Sequence, residues 1–199
     1  MRRRTAVAFL AGAVACASQR VDFAAPDRAT ETDSYDAVLR RWTRDAKLYV
    51  GFDAQLSLRA TLKTWDFQQA MVRRYADRYK LTDAERQALH EKERARTREY
   101  FDFIVVVHTP ELRRNDLDSK TSAWRVRLKV NGAESLAEPV RLVSAGRDPV
   151  VEAFFPLHSA FSKTYVASFR RPHGEVRDVA LTIAGPEGNA TVSWSSAAN

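Results

Sequence analysis

The residue with the most distinctive chemistry in this 199-residue chain is Cys16, its only cysteine. A lone thiol can build neither a disulfide scaffold nor a cysteine-based metal cluster. Here it follows three arginines, Arg2 to Arg4, and a short apolar run from Thr5 to Val14. That run is too short to span a bilayer, which takes about 20 apolar residues, and it reads as a secretory signal over residues 1–15. Cleavage after the small residue Ala15 leaves Cys16 at the new N-terminus, where its thiol can be acylated.

The other reactive side chains offer less. His90-Glu91 opens a zincin motif, but the position of the second histidine is Arg94, so the defining ligand is missing. His108, His158 and His173 are scattered, and no metal site or cofactor is expected. There is no GxSxG nucleophile elbow, and adjacency in His158-Ser159 is not triad geometry. Asp116 and Asp118 fall short of an EF-hand loop and read as turn residues. No catalytic residue is assigned.

The run Gly12-Ala13-Val14-Ala15-Cys16 resembles a bacterial lipobox, with Ala13 where leucine is preferred. Acylation of Cys16 holds a protein on a membrane without any transmembrane helix. Residues 16–34 then form a lipidated cysteine and a polar, flexible tether. Ala17 after the cysteine points to the outer membrane, facing the periplasm or the cell surface. The expected partners are that membrane and an envelope protein or glycan.

Formal charge is +7, with a pI near 9.8. Losing Arg2, Arg3 and Arg4 with the signal lowers it to +4. The remaining charges are spread evenly along the chain, without the concentrated basic stretch that nucleic-acid binding requires. Nucleic acid is not an expected partner.

The elements of residues 35–199 follow from periodicity. Tyr35, Val38, Leu39 and Trp42 mark a short helix. From Lys47 to Lys63 eight successive even positions are apolar, which predicts one long strand bent at Gly51. Trp65 to Tyr79 returns to helical spacing, and Thr82-Asp83-Ala84-Glu85 opens a second, polar helix through a capping box. This helical hairpin, about 65–98, reads as an insertion lying on a sheet edge. A buried strand is predicted at Tyr100–Thr109. Others follow at Trp124–Val130, Val140–Val143, Val150–Phe155, Thr164–Arg170, Val179–Ala184 and Ala190–Trp194, with turns at Asn131-Gly132 and 185–189. The fold class is mainly β with α, an immunoglobulin-like β-sandwich carrying an inserted helical hairpin. Trp42, Trp65, Trp124, Trp194, Phe101, Phe154, Phe155 and Tyr165 are assigned to the core.

The segments YDAVLRRWTR from Tyr35, ATLKTWDF from Ala60, VVVHTP from Val105 and FFPLH from Phe154 are similar to a group of uncharacterised bacterial lipoproteins. The resemblance implies address and fold, and carries no activity. The expected function is a membrane-anchored, non-enzymatic binding or structural module. The competing reading is a hydrolase of envelope polymer whose site forms only in three dimensions.

Overall fold

In the computed structural model, residues 21, 23, 33–133, 136–146, 148–156 and 161–196 are described. The predicted signal, Cys16 and most of the 16–34 segment lie outside them, as do His158 and Ser159. Within that segment, Val21 is buried and its N–H donates to Ser195 O at 2.9 Å. Phe23 meets Trp42 with ring centroids 5.9 Å apart. Val21 is thereby fixed to the folded body.

Helix α1, Tyr35–Trp42, starts where Ser34 Oγ accepts from Ala37 N, and its four apolar positions are all buried. The predicted long strand is instead a hairpin of β1, Thr43–Val50, and β2, Asp53–Leu62. Gly51 turns it with a left-handed φ of 62°. The unbroken alternation has a physical reason. Closing the ladder at Val50↔Asp53 pairs even positions with odd ones, and cross-strand partners share a face, so the two apolar sets would point opposite ways. A one-residue register shift between Leu48 and Tyr49 restores even-to-even pairing, from Leu48↔Leu56 onward. A bulge hides the turn from a parity reading.

Helices α2, Trp65–Tyr79, and α3, Asp83–Glu99, form the expected hairpin. Thr64 caps the first, and the Thr82–Glu85 capping box opens the second. Of the residues in α3 only Thr97 is buried, so this helix is solvated along most of its length.

β3, Tyr100–His108, is central and buried from Phe101 to Val107. β4, Arg125–Val130, and β5, Arg141–Ser144, follow. The stretch predicted as a strand at Val150–Phe155 is helix α4, Pro149–Phe154. Asp148 accepts from the N–H groups of Val150 and Val151, and Pro149 sits in the first helical turn, a start signal that outweighs the β-branched pair after it. β6, Ser162–Arg170, β7, Asp178–Gly185, and β8, Gly188–Ser195, complete the body. Asn131 and Gly132 both take positive φ, as a tight turn requires. The chain after that turn returns to β4 only through a bridge at Leu128↔Ala137.

The fold is mainly β with α, with about 41% strand in two antiparallel sheets and four helices among the described residues. Strand order is β1-β2-β3-β6-β5 in one sheet and β4-β7-β8 in the other. Leu58, Ala60 and Leu62 share a face with Val107, Val105 and Phe103. That face meets the smaller sheet, where Phe103 lies 5.7 Å from Trp194 between ring centroids. The opposite face carries Thr61, Asp102 and Ile104 and meets the helices.

The aromatic core is as expected for seven of its eight members; Trp65 is only half-buried. The indole N–H of Trp42 donates to Asp66, that of Trp194 to Trp42 O and that of Trp124 to Arg114 O. The Trp124 ring lies against Gly185 so closely that a Cβ there would sit 2.5 Å from it. Gly185→Ala is expected to cost about 1–3 kcal/mol through overpacking, and most of that cost should vanish in a Trp124→Leu background. Urea melts of the double-mutant cycle check this: additive losses would clear the ring of blame.

Candidate functional site

The strand directions give the body two ends. The near end holds Val21, the start of β1, the end of β8 and the junction of α3 with β3. The far end holds the β1–β2 turn, the loop after β3 and the turn between β7 and β8. The Cβ that Gly188 lacks would fall 2.9 Å from the Leu48 side chain, which places the tips of both sheets together.

The far end is where apolar side chains reach solvent. Phe52, on the two-residue turn, is fully exposed, and Tyr49, Val50, Leu112 and Phe161 are each at least 48% exposed. These are five of the eight exposed large apolar residues of the described chain, so the exposure is concentrated rather than scattered, which marks contact surfaces. Beside them a groove of about 600 Å³ runs past Arg113, Arg114, Trp124, Pro186 and Glu187. Its ion pairs, Arg113–Glu111 at 3.0 Å and Arg114–Glu187 at 3.4 Å, leave it close to electrically balanced.

Asp116 and Asp118 lie in this region but turn away from each other. Asp116 accepts from Ser122 Oγ at 2.8 Å and Asp118 from Ser144 N at 3.1 Å. Asp116 closes its own loop and Asp118 ties that loop to β5, and no cluster of three metal-ligating side chains occurs among the described residues. His108 Nδ1 is 2.8 Å from Phe161 O, His90 meets the edge of Trp65 at 4.6 Å between centroids, and His173 is exposed in the β6–β7 loop. The structure brings none of these three together.

One polar cluster was not apparent from the sequence. Beneath the helical hairpin, the buried Asp102 carboxylate accepts two bonds from Arg96 and one from Ser168 Oγ at 2.6 Å. The Asp102 hydrogen bond holds the Arg96 guanidinium above its usual range, against the opposing effect of burial. Nearby, burial pushes the Lys63 ammonium below its usual range, and the charges of Glu93 and Asp102 only partly offset this. Gln68 donates to Glu93 between α2 and α3. Chemically this is a lock. The Ser168 proton is committed to Asp102, and among the described residues no imidazole hydrogen-bonds to the serine. The signal for it is Asp102 itself, a carboxylate inside the apolar run FDFIVVV, because a buried charge needs a partner.

Cys16, the one residue assigned a chemical role from sequence, precedes Val21 by five positions. Compared with protein-family models, curated proteins and solved structures, the chain matches none.

Proposed function

We propose that this protein is an exported lipoprotein of the bacterial cell envelope, held on the outer membrane by acylated Cys16. In this reading its body is an immunoglobulin-like sandwich acting as a non-enzymatic binding or structural module for an envelope protein or glycan. The observation that carries it is the polarity of the body. The chain comes in at Val21 on the near end, five residues after the lipidation site. Five of the eight exposed large apolar side chains of the described residues gather on the far end. A module anchored at one end and adhesive at the other suits a tethered receptor or spacer. The hydrolase reading gains no support among the described residues, where the buried Ser168–Asp102 pair engages Arg96 instead of a histidine.

Fractionation of cells carrying the wild type or Cys16→Ala tests the anchor. The membranes are washed at about 1 M salt, where the Debye length falls to about 3 Å and electrostatic adhesion is lost. Wild type is expected to stay in the pellet and Cys16→Ala in the supernatant. Equal sedimentation of the two would end the proposal.

A further inference from the structure

The even spread of charge along the sequence does not survive folding. The end of α3, the end of β6 and the start of β7 all meet at the near end. Arg171 N donates to Glu99 O at 2.9 Å, and Tyr100 pairs with Arg170. Ser196 N donates to Arg177 O, next to the Val21 bridge. These junctions bring Arg98, Arg170, Arg171 and Arg177 to one end of the body. Arg98, Arg170 and Arg177 are exposed and Arg171 is half-buried.

None of the four is ion-paired with a carboxylate of the described residues. Arg170 lies over the Tyr100 ring at 5.2 Å. Arg171 lies over Phe101 at 5.0 Å and donates to Thr97 O. Glu99 and Glu175 are exposed and Asp178 is half-buried on the same stretches, so among the described residues there four arginines stand against three carboxylates. The far end contrasts with this: Arg113 is tied to Glu111 and Arg114 to Glu187.

We infer that the arginine-rich near end is a docking surface for anionic lipid headgroups, and that it lies flat on the membrane holding the acyl anchor. The inference rests on the lipoprotein reading for its choice of membrane. Two arguments select a lipid surface as the occupant. The first is charge. Arginines without a carboxylate partner among the described residues, brought to one end of the body by three segments, match the diffuse negative potential of a bilayer, which acts within a Debye length of about 10 Å. The second is reach. The five residues from Cys16 to Val21 span at most about 18 Å when fully extended, whereas β2 alone, ten residues long, measures about 33 Å. The anchor can therefore bring only the near end to its membrane. The far end with Phe52 is held away from it, facing outward.

The test uses the chain from residue 16 with Cys16→Ala, so that no acyl group contributes. It is mixed with vesicles of phosphatidylglycerol and phosphatidylethanolamine, or of phosphatidylcholine alone. Sedimentation is expected only with the anionic vesicles and should fade as salt is raised. Each of Arg98→Glu, Arg170→Glu and Arg177→Glu should weaken binding at least fivefold, since one basic residue near such a surface contributes a factor of about five. The Arg98 and Arg177 side chains form no hydrogen bond, ion pair or ring contact with a described residue, so these two variants should keep the wild-type melting temperature. The far-end variants Lys47→Glu and Phe52→Ser should bind as wild type does.

Binding to phosphatidylcholine of equal strength, loss in Phe52→Ser instead of the arginine variants, or capture by heparin but not by vesicles would each overturn the inference. Because the test chain lacks the cysteine, an unacylated wild type would refute the anchor while leaving this binding in place. Conversely, acylation of Cys16 together with no vesicle binding would refute the docking surface alone.

Discussion

Replacing Trp194 by alanine is expected to remove about 4–5 kcal/mol of stability, at the upper end of the range for large buried aromatics. Trp194 is fully buried, tilted against Phe103 across the two sheets, and its indole N–H donates to Trp42 O at 3.1 Å. The substitution thus leaves a cavity where the smaller sheet, β2–β3 and the end of α1 converge, and it orphans a buried carbonyl. A domain of this size has about 5–15 kcal/mol in total, so the variant should be only marginally folded at room temperature. Chemical denaturation with the wild type as reference measures this. A loss under about 1 kcal/mol would mean that the interface between the sheets is not the principal core.

Asp102→Ala is the second large effect, at about 2–4 kcal/mol. The carboxylate is 4% exposed and is the acceptor for both Arg96 and Ser168. Removing it leaves a guanidinium and a hydroxyl without their partner, and breaking a buried pair from one side costs about 3–5 kcal/mol. The lower figure reflects the Arg96 side chain, which is 37% exposed and regains some hydration. Asp102→Asn keeps an acceptor for both groups but loses the charge, so it should fall between alanine and wild type. If alanine and asparagine cost the same, the charge on Asp102 contributes nothing measurable. Loss of β3–β6 pairing would show as faster amide exchange around Phe103 and Ala167, which face each other across those strands.

Much of this architecture is legible in the sequence because local signals and tertiary packing agree. Ser34, Thr64 and the Thr82–Glu85 box start three helices where their side chains satisfy the free N–H groups. The apolar run at β3 forms a strand buried on both faces, and Trp42, Trp124 and Trp194 are core. The misses have identifiable causes. Val150 and Val151 favour a strand on their own, but Asp148-Pro149 starts a helix at that point. The long alternation at 47–63 conceals a hairpin because the register shift at Leu48/Tyr49 returns both strands to one parity.

The sites are less legible than the fold, for a different reason. Arg96, Asp102 and Ser168 meet across as many as 72 positions, and no spacing rule joins them. The near-end arginines come from three separate segments, so a linear count finds an even spread where the folded body has an excess. Cys16 carries a reading from sequence because the chemistry proposed for it is local: an arginine-led apolar run and the residue that follows it.

The lipid proposed on Cys16 would turn a two-ended body into an oriented one, and the mass of the mature N-terminal peptide tests it most directly. Purified from the membranes of the cells that make it and digested, the protein should yield an N-terminal peptide beginning at Cys16. That peptide should carry the added mass of a diacylglyceryl group on sulfur. An unmodified cysteine, or a chain still beginning at Met1, would contradict the account.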